Sequence, residues 1–478
     1  MAPPSMIVPA RDPRGHAQPN IDHSLSDLSP RFWVLAVATG VAAGVGAIAM
    51  MAVLRTVQHL AFSYHTGQYS HAAAAHSDLR RVLILAGGGV IAGLGWWLIR
   101  RYLGGTGGSP TKAVWTGTDD LSVRNTLISG ALSEVVIGMG ASLGREAAPQ
   151  HTGAAAGAWL ARRFALPDQQ RMLLIACGAG AGVGSVYNVP LAGALFAAEL
   201  YLGSLSLATI APALVTAAVA TLVGWTVLPI HAIYNVPTLG FPSASLLVWA
   251  LLVGPLLGLA AAAFVRMIGW AADHRPTGGW RLAATPPAAF TLLGVAAIGY
   301  PLLLGNGRDL AEFAFRGGGT LATLAALAAL KPLMTTLCLR SGATGGLFTP
   351  TMSLGAVLGA LLGHVWALLW PGAGATAYAI IGAGAMLAAG MQAPVTAVAF
   401  TIELTNSVNA SIVAIVLAAG GAMLVARLLE SRSIYSARLP KGTAGTPAAA
   451  SDTAHARRRH RPAPPRTTPP RPTRREAM

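Results

Sequence analysis

The sequence predicts an all-α polytopic membrane protein, built from two related halves with broken helices. Three observations predict it. The chain is too apolar for water: 54% of its 478 residues are hydrophobic, 10% are charged, and mean hydropathy is +0.56. A soluble chain of this length needs a far more polar surface. Apolar runs recur at about 32–54, 82–99, 126–144, 172–203, 205–230, 244–265, 282–304, 318–339, 351–370, 376–404 and 411–429. Several reach the roughly 20 residues that span a bilayer. Finally, one element occurs twice: residues 178–200 read GAGAGVGSVYNVPLAGALFAAEL and residues 382–404 read GAGAMLAAGMQAPVTAVAFTIEL. In both, the first Gly and the Pro are 12 apart and the Pro and the Glu 9 apart, and the copies lie 204 positions apart. Paired interrupted segments in corresponding halves mark a transporter-type fold with a central ion or substrate site.

Residues 1–30 lack a signal peptide's compact apolar stretch and read as a cytoplasmic tail. The transmembrane domain is expected over 31–440, in halves of about 31–235 and 244–440. Broken helices inside it must be buried in protein or line an aqueous cavity, and the 56 Gly suit close helix packing.

Three Gly-rich segments open into helices. The first is GGTGGSPTKAV at 104–114, which enters its helix through Pro110. It lacks the Gly-Lys-Ser/Thr ending of a phosphate-binding loop. The second is GASLGREAAPQHTGAAAG at 140–157, where Gly144 permits a break and Glu146 starts the helix. Helix N-termini present unpaired N–H groups and a positive dipole end, so they attract anions. Glu146 is therefore either an ordinary capping carboxylate or an internal competitor for an anion site, displaced by an arriving ion and released by protonation. An ionisable residue at membrane depth is a functional candidate. The third is SGATGGLFTPTMSLGAVLG at 341–359, where Pro350 suits a first helical turn. The N–H groups of Leu347 and Phe348 could point at an anion, and Phe348 could equally be a packing residue. Pro149 and Pro350 lie 201 apart, close to the 204 of the repeat.

Together these motifs resemble the CLC family of chloride channels and chloride/proton antiporters. The likeness covers roughly residues 30–440. It rests on GREAAP at 144–149 (family GREGP), SGATGGLFTP at 341–350 (family SGAPGGIFAP), VYNVPLAGALFAAEL at 186–200 and SIYSARL at 433–439. The resemblance implies a homodimer in which each subunit has its own pore and is built as a CLC-type inverted repeat with many tilted and broken helices. By position it implies that Glu146 is the gating glutamate and that the N–H groups of Leu347 and Phe348 hold the central anion. Arg145 and Ala147, beside the gate, are counted with the anion site. Tyr435 would close the inner side with its hydroxyl, a neutral donor suited to an anion that must also leave.

The sequence departs from the family in four places. The pattern GSGIP is here GTGGSP, so Thr106, Gly107 or Ser109 takes the pore serine's place; Thr106 is favoured because it keeps a hydroxyl donor. GREGP has become GREAAP, with Pro149 one place later. The inner proton-handling glutamate of the antiporters aligns with Leu200. Its neighbour Glu199 points about 100° away on a helix and matches Glu403 of the other repeat, so a structural role is expected for it. The 38 residues of 441–478 are too few for the paired CBS domains many members carry.

The net charge of +16 could suggest nucleic acid, but nine Lys/Arg fall within 441–478 against Asp452 and Glu476. That Pro- and Arg-rich stretch is expected to be a disordered cytoplasmic tail obeying the positive-inside rule, with no nucleic-acid partner. Cys177 and Cys338 lie in apolar segments and read as buried thiols. No cofactor or metal is expected, and without an HExxH motif or a nucleophile–base pair an enzyme is the weakest class. The function expected is transport of chloride or similar small monovalent anions through a glutamate-gated pore in the inner or plasma membrane, with both termini cytoplasmic. Leu200 cannot relay a proton, which favours passive conduction or weakly coupled exchange. The alternatives are a proton-coupled chloride or fluoride antiporter of the same superfamily and a secondary carrier of an organic solute.

Overall fold

The computed structural model describes residues 28–117, 121–237, 242–407 and 412–439. The basic tail 441–478, and all but the last three residues of the N-terminal tail, lie outside the described residues. Among those described there are seventeen α-helices and no strand. The first half holds α1 (Pro30–Phe62), α2 (Tyr69–Ala74), α3 (Asp78–Leu103), α4 (Pro110–Thr116) and α5 (Val123–Gly138). It continues with α6 (Ala147–Arg163), α7 (Asp168–Tyr187), α8 (Pro190–Leu195) and α9 (Leu207–Gly224). The second half holds α10 (Ala244–Asp273), α11 (Gly279–Gly299), α12 (Arg308–Phe315) and α13 (Leu321–Arg340). It ends with α14 (Phe348–Leu369), α15 (Ala375–Met391), α16 (Pro394–Thr405) and α17 (Ile412–Leu428).

The first N–H groups of a helix lack intrahelical partners, so hydroxyl side chains fix many starts. Ser29, Ser77, Ser122, Ser243 and Thr320 each accept from the N–H three residues on, opening α1, α3, α5, α10 and α13. Among the described residues, seven helices are long and apolar enough to cross a membrane: α1, α3, α9, α10, α11, α13 and α14. Others fall short. The 12 residues of α16 make about 18 Å against the roughly 30 Å of a hydrocarbon core. Short helices of this kind survive only where protein surrounds their ends. Accordingly α7 and α15, which run into α8 and α16, are buried along almost their whole length.

The halves repeat each other in detail. Asn188 ends α7 and Gln392 ends α15, both left-handed (φ 55° and 59°), and 392 − 188 is again 204. Pro190 and Pro394 then open α8 and α16. Pro149 and Pro350 are each the third residue of their helix, α6 and α14. Where α6 crosses α7, Gly153 faces Gly178; where α14 crosses α15, Gly355 faces Gly382. A Cβ on any of the four would overlap the facing carbonyl, so the backbones touch directly. The halves are also latched reciprocally. Glu199 accepts from Val395 N–H (3.2 Å) and Thr396 N–H (2.6 Å) at the start of α16. Glu403 accepts from Leu191 N–H (3.3 Å) and Ala192 N–H (2.6 Å) at the start of α8. Each carboxylate thus satisfies the orphan donors and positive end of the other repeat's helix. Cys177 and Cys338 are buried free thiols.

Candidate functional site

The loops before α6 and α14 cross in the interior as a two-residue antiparallel bridge. Gly144 N–H donates to Gly346 O (2.7 Å) and Gly346 N–H to Gly144 O (2.6 Å). A Cβ on Gly346 would overlap the Glu146 carboxylate, so this crossing requires glycine. The bridge sets the starts of two repeat-related helices against each other, and Glu146 lies between them, 1% exposed.

Glu146 occupies the N-cap position of α6, yet its side chain does not cap that helix. It reaches across to α14. Oε1 accepts from the backbone N–H of Phe348 (2.7 Å), the first residue of α14. Oε2 accepts from the Tyr187 hydroxyl (3.0 Å) and from Thr349 Oγ1 (3.3 Å), and those two hydroxyls are 2.6 Å apart. The Arg145 guanidinium lies over the Tyr187 ring, 5.3 Å from its centroid, and its buried Nε has no partner among the described residues. The Glu146 carboxylate is therefore held by neutral donors and a helix N-terminus, with no ion pair among the described residues. Hydrogen bonds to a charged acceptor are the strong kind.

From this point aromatic rings run in an unbroken series. Phe348 packs on Tyr187 (5.6 Å between centroids) and on Phe400 (4.5 Å). Phe400 packs on Phe196 (6.0 Å), and Phe196 on both Tyr435 (5.6 Å) and Tyr201 (5.5 Å). The structure thus links Glu146, Phe348 and Tyr435 through one wall of rings. Leu347 precedes α14 as its N-cap, and Ala147 is the first residue of α6.

The last turn of α4 is docked onto this wall. Trp115 Nε1 donates to Tyr201 O (3.0 Å), and the Tyr201 hydroxyl accepts from Gln150 Nε2 (2.6 Å). The three pore-serine candidates differ here. Ser109 Oγ accepts from Lys112 N–H (3.4 Å) and caps α4. Gly107 has its carbonyl taken by Ser122 N–H (3.2 Å) and Thr126 Oγ1 (3.3 Å). The Thr106 hydroxyl makes no hydrogen bond among the described residues. Leu200 is buried (4% exposed) in a π-helical turn, Phe196–Tyr201, that continues α8.

Four polar residues near the site escaped the sequence reading, the first being Thr349, whose hydroxyl meets Glu146. Tyr187 contributes the hydroxyl on Glu146; its repeat partner is Met391, so a polar side chain in only one copy was the available signal. Lys331, 1% exposed on α13, donates from Nζ to Ser142 Oγ (2.9 Å), Gly305 O (3.1 Å) and Leu303 O (3.2 Å). One turn on, Thr335 also meets Ser142 (3.2 Å), so α13 grips the loop that carries Glu146. Glu134 on α5 is fully buried, and neither carboxylate oxygen has a hydrogen-bond partner among the described residues. Its electrostatic neighbours are Arg145 and Glu146. Both residues stand alone as charges inside apolar runs, which is itself a signal.

Comparison with known proteins follows the same outline. A family model described as voltage gated chloride channel matches residues 88–427. A ClcB-like protein of Ralstonia nicotianae is 32% identical over 373 residues, covering 76% of this chain and 86% of that one. Among solved structures, a slow cyanobacterial Cl−/H+ antiporter superposes with a TM-score of 0.74 at 24% identity, covering 86% of this chain and 97% of the other. A CLC-type fluoride/proton antiporter superposes with a TM-score of 0.69 at 20% identity, covering 85% and 97%.

Proposed function

Because this chain belongs to the CLC family of voltage-gated chloride channels, we propose that it passes chloride, or a similar small monovalent anion, through a pore gated by Glu146. The observation that carries this reading is the set of three donors, Phe348 N–H, Tyr187 OH and Thr349 OH, converging on one buried carboxylate. Donors so arranged suit any small anion, and the one found there is the protein's own side chain. Gating then follows as competition. A chloride arriving from outside, or a proton neutralising Glu146, frees the N–H of Phe348 and opens the route along the aromatic wall. Leu347 and Phe348 supply backbone donors, Thr106 supplies a hydroxyl from the α4 loop, and Tyr435 stands at the inner end. Arg145 raises the local potential without pairing. The protein is a multi-pass membrane protein of a transport family, not an enzymatic one. Placing it in the bacterial inner membrane, with 31–440 as the transmembrane unit, cytoplasmic termini and a homodimeric assembly, belongs to the same proposal. The deciding experiment is chloride efflux from liposomes with proton movement recorded simultaneously and the potential clamped by valinomycin. No protein-dependent anion flux would overturn the reading.

Tyr435→Ala should open the inner end and remove one neutral donor, leaving the fold intact. One polar contact is worth on the order of 1 kcal/mol, so a roughly several-fold loss of chloride affinity is expected by calorimetry. Unchanged affinity in a monodisperse variant would take Tyr435 out of the pore.

Channel-like conduction is favoured by Leu200 and by Glu199, whose carboxylate is committed to the α16 start. One observation favours a second reading, proton-coupled exchange: Glu134 is a second buried carboxylate, unpaired among the described residues, in electrostatic contact with Glu146. An uncompensated buried carboxylate is held more cheaply with a proton on it. If chloride gradients drive protons uphill, Glu134→Gln should cut that coupling several-fold while Glu199→Gln leaves it alone. Coupling insensitive to Glu134→Gln would remove this route.

A further inference from the structure

A large groove lies away from the pore, between α10, α11 and α13. It encloses about 830 Å³ and is walled by Met267, Trp270, Leu292, Leu333 and Leu337. Arg266 and Arg340 also line it, and the Arg340 guanidinium lies over the Trp270 ring, 5.5 Å from the centroid. A second cleft of about 440 Å³ adjoins it and shares Thr285 and Arg340; its other polar walls are His274, Arg275, Thr277 and Arg281. No acidic side chain is among the described residues lining either space. Nor does Arg275, Arg281 or Arg340 pair with a carboxylate among the described residues. Arg275 instead lies within electrostatic reach of two like charges, Arg100 and Arg438. Inside the groove, Thr336 is buried, 7% exposed, and its Oγ1 has no hydrogen-bond partner among the described residues. Trp270 and Trp280 are exposed beside the basic cleft, 52% and 75%. Indole rings collect at the depth of lipid headgroups, where one end of the ring is apolar and the other wet.

We infer that the groove and the cleft together form a site for one anionic phospholipid, its acyl chain in the groove and its phosphate among Arg340, Arg281 and Arg275. An apolar slot that ends in clustered, unpaired arginines at headgroup depth matches a molecule with that same division. A zwitterionic lipid would bring its own cation into the cluster, which the like charges oppose. Thr336 would meet the polar glycerol region between the two parts. The position also has a consequence for the anion site. Ser341 lines the groove, and its carbonyl accepts from Thr285 Oγ1 (2.8 Å). The chain then runs directly into the 341–347 loop that presents Phe348 N–H to Glu146. A lipid seated on Arg340 braces the base of that loop.

The test is native mass spectrometry of the full chain extracted from vesicles of equal phosphatidylglycerol and phosphatidylcholine. Wild type should retain one phosphatidylglycerol per chain in preference to phosphatidylcholine. Arg340→Gln with Arg281→Gln should lower that retention about five-fold for each arginine removed. Ala288→Trp, which narrows the groove and leaves every arginine in place, should lower it as well. Equal retention of the two lipids, or retention unchanged in both variants, would overturn the proposal. Loss in the arginine variant with full retention in Ala288→Trp would also overturn it, marking a headgroup-only site that inorganic phosphate could fill. If the arginine variant does not fold, Ala288→Trp decides alone.

Discussion

Chloride flux through Glu146→Gln should exceed wild-type flux at neutral pH by roughly ten-fold or more and should be nearly flat with pH. The carboxylate accepts from a helix-start N–H and two hydroxyls. Hydrogen bonds to a charged group are worth about 1.5–3 kcal/mol, against about 1 kcal/mol for neutral ones. Replacing the acid by its amide therefore weakens the closed state by on the order of 3 kcal/mol, about a hundred-fold in population before the open pore itself becomes limiting. The sign of the pH dependence follows from the same bonds. Protonation removes the charge and converts one accepting oxygen into a donor facing other donors, so acid releases the side chain. Wild-type flux should rise as pH falls, and the amide variant should already be released at every pH. Liposome efflux across a pH series decides it. A variant that keeps the acid activation of the wild type would remove Glu146 from the gate.

Lys331→Met should be the most damaging substitution away from the anion site. The Lys331 ammonium is 1% exposed and serves three acceptors, Ser142 Oγ and the carbonyls of Leu303 and Gly305. Methionine fills much of the volume but leaves those acceptors buried without a donor. Each such loss costs about 1–3 kcal/mol, so destabilisation of about 3 kcal/mol or more is expected, seen as a fall of several degrees in the unfolding transition in detergent. The functional effect should point the same way as Glu146→Gln but be smaller. Ser142 sits four residues before Glu146, and loosening it blurs the geometry that the closed state needs. An unchanged transition together with an unchanged pH profile would show that the loop is held by Thr335 and packing alone.

Much of the fold was legible because membrane solvent and internal repetition leave coarse marks. The repeat of Gly, Pro and Glu at 178–200 and 382–404 becomes two buried helices that break at Asn188 and Gln392 and restart at Pro190 and Pro394. The expectation of a structural role for Glu199 was right for a reason visible in the spacing: Glu403 answers it from the other copy. Glu146 was placed correctly at a helix start, because a glycine break followed by a helical run is a local signal. The helix whose N–H its carboxylate takes was not local. It belongs to α14, 202 residues away, and nothing at 140–157 names it.

By itself the sequence determined that this chain lives in a bilayer, that its two halves share one plan, and which segments open helices. Those are consequences of composition, periodicity and glycine or proline placement, all of which act within a few residues. Only the tertiary structure decided which donors converge. The Gly144–Gly346 bridge, the Tyr187 hydroxyl on Glu146 and the Lys331 grip on Ser142 each join residues from 41 to 202 positions apart. Such pairings are set by how buried helices cross and by the demand that every interior polar group find a partner. That demand is a property of the whole packed bundle, which no single stretch of sequence contains.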